Sequence, residues 1–391
     1  MSPLFELSDT ALSVVLVIGA TTAFFMGLIG IVINDIKRVI AYSTLSQLGY
    51  MVTALGASAY SAGMFHLMTH AFFKALLFLA AGSVIMAMHH EQDMRYMGGL
   101  KKYMPITYWT CLIGSLALIA FPGFSGFFSK DTIIEAVHAS SRAGSGYAYW
   151  CVLLGAFVTA LYTFRMLFMT FHGKERFKVV HSHHDGHDDD HGHHVQGELA
   201  HAPHESPWVV TVPLILLAIP SVIIGWITVE PLLYGGWLGD AVHVLQGNDV
   251  LARLSEEFGS PLHAVLTSVL SPTLYLALAG VFVAWVLYIY RTDLPAKIAQ
   301  RTRPVYLLLA NKFYFDEVFY FVFAGGTRAL GRFFWQVGDV TLIDTVAIDG
   351  TAHGIGRLAS FLRRGQSGYL YHYAFSMIIG LCILLGWLIT R

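Results

Sequence analysis

Charge is scarce in this 391-residue chain, and that scarcity decides its solvent. Only 13% of the residues are Asp, Glu, Lys or Arg, against 55% hydrophobic, which leaves too little polar surface to wrap a water-soluble globule. Cysteine is nearly absent as well. Cys111, Cys151 and Cys382 lie far apart, inside apolar stretches and without CxxC spacing, so no disulfide framework, metal cluster or thiol chemistry is expected. No GxGxxG follows a strand and there is no nucleophile elbow, which leaves the chain without a dinucleotide site or a hydrolytic nucleophile of its own. The N-terminus lacks the charged start, short apolar core and small-residue cleavage site of a secretory leader, so no cleavage is expected. Neither catalytic residues, a bound cofactor nor a nucleic-acid partner is expected of the chain itself.

What it has is apolar length. Segments near 20 residues cross the ~30 Å hydrocarbon core as helices, and such segments fall at 11–33, 41–58, 63–88, 105–140, 147–171, 208–229, 270–291 and 368–390. The fourth is too long for one straight helix and carries Pro122, Gly123, Ser125 and Gly126 in its middle. It reads as two half-helices making one crossing. The expected fold is therefore an all-α integral membrane protein of about eight crossings, one of them broken.

The basic residues fix its orientation. Lys37 and Arg38, then Arg95, Lys101 and Lys102, then Lys174, Arg176 and Lys178, then Arg291, Lys297, Arg301, Arg303 and Lys312 fall in alternate loops, which places those loops on the cytoplasmic side. The opposite loops hold only Arg142 and Arg253, and 230–269 is acidic. Arg165, near the cytoplasmic end of the fifth segment, reads as an interfacial residue with its charge reaching toward water.

Two lysines break the apolar pattern. Lys74 and Lys130 lie within predicted spans, where an ammonium at mid-bilayer costs roughly 2.5 to 3.5 kcal/mol and marks an ion pathway by default. In HLMTHAFFKALLF, His66, His70 and Lys74 stand at i, i+4 and i+8, a slowly winding stripe whose members are about 6 Å apart along the axis. Histidine titrates near neutral pH, so this spacing suits proton relay through one or two waters. Two plainer readings stand beside it: hydrogen-bonded packing, or a zinc site for which no further ligand lies on that face. LIAFPGFSGFFSKDTIIEAV places Lys130 and Asp131 directly after the predicted break, the kind of interrupted helix that transporters use to hold ions at mid-membrane. The plainer reading there is a proline kink with a snorkelling lysine. Ser43, Thr44, Ser46 and Gln47 give the second span a polar face that holds water beside the relay or serves as glue between helices.

Two further segments stand apart. Residues 172–206 form a His- and Asp-rich cytoplasmic loop, too poor in apolar residues to bury a core, whose side chains would bind zinc or nickel in solution. From 304 to 365, Phe315, Phe319, Phe323, Leu330, Phe333, Phe334 and Val337 recur at three- and four-residue spacing between charges. That segment is expected to lie along the membrane surface, with Gly325 and Gly326 able to bend it, to present Asp339, Asp344 and Asp349 as a solvated edge, and to brace neighbouring subunits. The divisions so read are 1–171 for the helix repeat carrying the half-channel, 172–206 for the loop, 207–291 for two more spans, 292–366 for the lateral amphipathic region and 367–391 for a terminal anchor.

NDIKRVIAYSTLSQLGYM, FHLMTHAFFKALLFLAAGSVI, GGLKKYMP and GFFSKDTIIEA resemble the antiporter-like membrane subunits of respiratory complex I, most specifically the subunit L or chain 5 type. The resemblance covers essentially the whole chain, and the amphipathic tail with its closing span is what looks like subunit L rather than its siblings M and N. It implies that His66, His70 and Lys74 are central proton-connecting residues, that Lys130 is the terminal lysine of a half-channel, and that Asp131 accompanies it. It further implies NADH oxidation by quinone coupled to proton export across the bacterial inner membrane, with NAD, FMN, iron-sulfur clusters and quinone held by other subunits, and with M, N and smaller membrane subunits packed along the lateral helix. Subunit L proteins also carry a preceding half with a glutamate and lysine pair, so the chain is expected to correspond to the second antiporter repeat plus the tail. Two other functions share features with this sequence: the large subunit of a multisubunit sodium/proton antiporter, and a metal-cation transporter.

Overall fold

The computed structural model describes residues 2–179, 198–199 and 201–391. A short α1 (Ser2–Phe5) leads into α2 (Asp9–Val32), α3 (Ile36–Gly56), α4 (Tyr60–Ala87), the half-helices α5 (Pro105–Leu118) and α6 (Ser125–Ala139), and α7 (Ser145–Phe171). After a two-residue parallel strand pair, 178–179 with 198–199, come α8 (Trp208–Leu233), the short α9 (Val250–Phe258) and α10 (Pro261–Thr267), and α11 (Pro272–Trp285), which continues to Tyr290 with wider turns. Residues 181–194, the core of the expected His-rich loop, lie outside the described residues.

Local chemistry sets the ends. Ser8 and Asp35 cap α2 and α3 by accepting the N–H groups of Ala11 and Arg38, and Pro105, Pro261 and Pro272 open α5, α10 and α11, where a missing N–H costs nothing. Among the described residues, six helices are long and apolar enough to cross a bilayer: α2, α4, α7, α8, Pro272–Tyr290 and Leu370–Ile389. The other two expected crossings fall on α3, whose 21 residues carry the polar face, and on the α5/α6 pair of 14 and 15 residues. The first of these is polar for a span and the second is broken, so neither announces itself by hydropathy.

Residues up to 313 form one compact unit. Its centre is α7, packed on α2 and α11, while α3 and α4 complete the wall. Small residues set the closest approach. A Cβ on Gly49 would lie 2.4 Å from the Ala23 nitrogen, and one on Gly56 would lie 2.3 Å from that of Leu16, so α2 and α3 touch backbone to backbone as membrane helices do where small residues face each other. The outward faces of the same helices expose Val14, Ile18, Leu45, Leu48, Met64 and Leu67, the pattern of a surface solvated by lipid.

Arg165 departs from the sequence reading. It is 4% exposed and donates to the Ile33 carbonyl, to Asn34 Oδ1 at 2.6 Å and to the Tyr288 hydroxyl at 3.1 Å, so it ties the α2–α3 turn to the end of α11. The interfacial reading failed because the chain supplies a buried set of oxygens there that outcompetes water. Arg142 is likewise tied down, pairing with Asp9 at 2.7 Å and donating to Ser58 Oγ at 2.7 Å.

Residues 314–391 form a second unit. Helix runs without interruption over 315–364, through α14 (Phe315–Phe319), α15 (Gly326–Phe333) and α16 (Gly350–Arg364), with wider turns over Tyr320–Gly325 and Phe334–Asp349. Backbone angles at Gly325 and Gly326 are helical, so the helix continues through both glycines. Left-handed angles at Lys312, Phe313 and Tyr314 precede this helix, following α12 (Leu294–Arg301) and α13 (Arg303–Ala310) of the first unit. α17 (Leu370–Ile389) closes the chain with no residue buried.

Candidate ion-translocation site

The site begins at the break in the fourth crossing. α5 ends at Leu118, and residues 119–124 turn through left-handed Ala120 and Gly123 before α6 starts at Ser125. The loosened backbone is not left bare: the Phe121 N–H donates to the Leu116 carbonyl at 3.0 Å, and Trp226 Nε1 donates to the Gly123 carbonyl at 2.8 Å from α8. Ser125 Oγ reaches the Ser221 carbonyl at 2.7 Å. Gly126 is forced, because a Cβ there would lie 1.8 Å from the Ala117 carbonyl oxygen. The break is thus enclosed by protein, as irregular backbone at membrane depth must be.

One turn along α6, Ser129 and Lys130 enter the interior. All five residues singled out from the sequence are buried: His66 is 1% exposed, His70 6%, Lys74 4%, Lys130 0% and Asp131 8%. His66 is the junction. Its Nδ1 lies 2.9 Å from Ser129 Oγ on α6 and its Nε2 lies 3.1 Å from Gln47 Oε1 on α3. Ser129 Oγ also meets Thr69 Oγ1 at 2.8 Å, so α3, α4 and α6 are joined through one hydrogen-bonded cluster.

From this junction the stripe runs both ways. The His66 and His70 rings are 6.0 Å apart, and His70 sets its edge against Phe73 at 5.3 Å. A turn further, Lys74 Nζ donates to Ser43 Oγ at 2.7 Å, and the Tyr162 hydroxyl from α7 donates to the same oxygen at 2.8 Å. On the other side, Lys130 Nζ sits 4.7 Å from the centroid of the Tyr50 ring, whose hydroxyl donates to the Val152 carbonyl at 2.6 Å. Lys130 Nζ, His70 Nε2 and Gln47 Nε2 make no hydrogen bond to protein. Neither lysine is in an ion pair among the described residues, and a cation withdrawn from water without a fixed counter-ion is a costly arrangement whose usual use is in moving ions.

Asp131 points elsewhere. It lines a cavity of about 410 Å³ shared with Thr132, Glu135, Tyr234 and His263. The structure therefore gathers His66, His70, Lys74 and Lys130 about one axis and sets Asp131 on the adjoining side of α6. No group of three or more His, Cys, Asp or Glu side chains is placed to hold a metal among the described residues.

Sequence reasoning missed Tyr50, Thr69, Ser129 and Tyr162. Tyr50 was within reach, since Ser43, Gln47 and Tyr50 fall at helical spacing on one face of α3. Tyr162 left no such signal. Of the polar face on α3, Ser43 and Gln47 hydrogen-bond to Lys74 and His66, whereas Ser46 donates to the Ala23 carbonyl at 2.6 Å and is glue between helices.

Residues 1–162 match the family described as NADH:quinone oxidoreductase/Mrp antiporter, TM. Over 388 residues the chain is 58% identical to NADH-quinone oxidoreductase subunit L of Neisseria meningitidis serogroup B, a match that takes in 99% of this chain and 57% of that protein. The chain is thus similar over nearly its whole length to the subunit L and chain 5 proteins. Subunit L of Rhodobacter capsulatus is 38% identical over 458 residues, covering 100% of this chain and 60% of its own, and NADH-ubiquinone oxidoreductase chain 5 of Arabidopsis thaliana is 40% identical over 395 residues, covering 98% and 54%. This chain thus spans somewhat more than half the length of the curated relatives it matches. The family match ends inside α7, and it contains every residue of the buried cluster through Tyr162.

Proposed function

We propose that this chain is a proton-translocating membrane subunit of an NADH:quinone oxidoreductase, sited in a bacterial inner membrane, and that protons move through it between Lys74 and Lys130 by way of His70, His66 and Ser129. The observation that carries this reading is His66, hydrogen-bonded on both ring nitrogens between a half-helix bearing one buried lysine and a helix that holds the other through Ser43. Imidazole takes a proton on one nitrogen and gives it up from the other, so a doubly bonded histidine joins two segments of a relay. The histidines and lysines need no metal for this. In this reading redox chemistry belongs to partner subunits that carry NAD, FMN, iron-sulfur clusters and quinone, and the relatives are themselves named as subunits of NADH-quinone oxidoreductases.

In this reading, siblings M and N and smaller membrane subunits cover the exposed apolar side chains of residues 314–391, which include Phe315, Phe319, Phe333 and Phe334. A sodium/proton antiporter is the weaker reading, because the relatives that align over nearly all of this chain carry oxidoreductase names. The test is Lys130→Ala in the assembled complex, with protons exported per NADH measured in membrane vesicles. The ratio should fall while NADH oxidation by an artificial acceptor persists; an undiminished ratio would count decisively against the assignment.

A further inference from the structure

On the face opposite the basic loops, the first unit carries only two cationic side chains among the described residues, Arg142 and Arg253. They are more than a hundred positions apart in sequence, one in the α6–α7 turn and the other on α9, yet both line a single cavity of about 300 Å³. Ser140, Ser141, Asn248 and Asp9 share its wall. On a face whose other loop charges are acidic, convergence of both arginines is the opposite of what mutual repulsion would produce. Asp9 pairs with Arg142 at 2.7 Å, which leaves Arg253 without a carboxylate partner among the side chains of the cavity wall. Arg253 gives a single 3.3 Å hydrogen bond to the Gly247 carbonyl and is otherwise exposed, with most of its donors free to turn inward.

The surroundings select the kind of anion. The cavity opens beside the outer ends of α2 and α7, which are pressed together where left-handed Gly144 meets Val17 and where Thr21 Oγ1 lies 2.9 Å from the Tyr147 hydroxyl. From there toward mid-membrane the two helices expose Val14, Ile18, Tyr147, Trp150 and Leu154. Guanidinium and hydroxyl groups at the rim with an apolar seam below match a molecule that has a phosphate at one end and hydrocarbon at the other. Tyr and Trp at this depth suit the zone where acyl chain meets headgroup.

The geometry points to a binding site for an anionic phospholipid of the outward-facing leaflet, its phosphate held by Arg253 with Ser140 and Ser141 beside the Asp9-paired Arg142, and one acyl chain laid along the α2/α7 seam over Trp150. The bound lipid brings together three segments distant in sequence: the start of α2, the α6–α7 turn and the start of α9. This site is separate from the proton relay and stands whether or not that reading holds.

The experiment uses the purified assembled complex in detergent, titrated with phosphatidylglycerol, phosphatidylcholine or inorganic phosphate and read by native mass spectrometry of this subunit. Phosphatidylglycerol should be retained in preference to phosphatidylcholine. Arg253→Gln should weaken its retention about tenfold, the loss expected for one charge-assisted contact, and Arg253→Lys should restore part of it. Trp150→Ala should lower lipid retention without changing phosphate binding. Equal retention of both lipids, or of phosphatidylglycerol by wild type and Arg253→Gln, overturns the site. Saturable phosphate binding that Arg253→Gln abolishes, with no lipid retained, overturns the lipid assignment in favour of a free anion.

Discussion

Replacing Gly126 by alanine tests the broken helix at its tightest point. The added methyl would stand 1.8 Å from the Ala117 carbonyl oxygen, where real contacts are no closer than 3.0 Å, so the start of α6 must retreat by about 1.2 Å. That oxygen belongs to backbone and cannot swing aside. Overpacking of this kind costs about 1 to 3 kcal/mol. The functional effect follows from what α6 carries next: Ser129 is one turn away, and its bonds to His66 at 2.9 Å and Thr69 at 2.8 Å tolerate only a few tenths of an ångström of such a shift before they weaken. Each lost bond adds about 1 kcal/mol, and the relay is interrupted at its junction. Gly82→Ala is the control, since nothing lies within 4 Å of its Cβ and helix propensity alone would stabilise it by up to about 1 kcal/mol. Thermal unfolding of the purified complex and protons pumped per NADH should separate the two variants, with Gly126→Ala deficient in both. If the pair behave alike, the enclosed break described here is wrong.

Other outcomes follow from the same geometry. Ser43→Ala removes the hydroxyl that holds Lys74, and at about 1.5 kcal/mol for a charged hydrogen bond it should slow pumping roughly tenfold, whereas Tyr162→Phe, which leaves Ser43 in place, should slow it less; parallel vesicle assays would show the order. Burial pushes the Glu6 carboxyl up, but hydrogen bonds from Asn248, Ser58, Tyr60 and the Leu245 N–H outweigh it and hold the group below its ordinary value of 4.5. Its contribution to stability is therefore present above that value and is lost as pH falls through the depressed folded one, so Glu6→Gln should flatten the acid side of a plot of unfolding temperature against pH.

How much of this was legible in the sequence depended on whether the cause was local. The HxxxHxxxK stripe, the helix break ahead of Lys130 and the alternation of basic loops are all set by neighbours along the chain, and the fold and the five candidate residues came from them. The contacts of those residues did not. Ser129 reaches His66 only because Gly126 lets α6 lie against Ala117, and Tyr162 reaches Ser43 only because α7 threads the centre of the bundle. Arg165 misled for the same reason: its position near a span end suggested water, while its partners come from the α2–α3 turn, at Ile33 and Asn34, and from the end of α11, at Tyr288.

The most direct measurement is the number of protons exported per NADH oxidised by the complex carrying His66→Leu, reconstituted in sealed vesicles, with assembly verified by subunit content. Leucine fills much of the same space but offers neither ring nitrogen to Ser129 nor to Gln47, so the account predicts a lowered ratio in a complex that still assembles and still oxidises NADH. A normal ratio in that variant would mean that protons do not pass between the two lysines through His66.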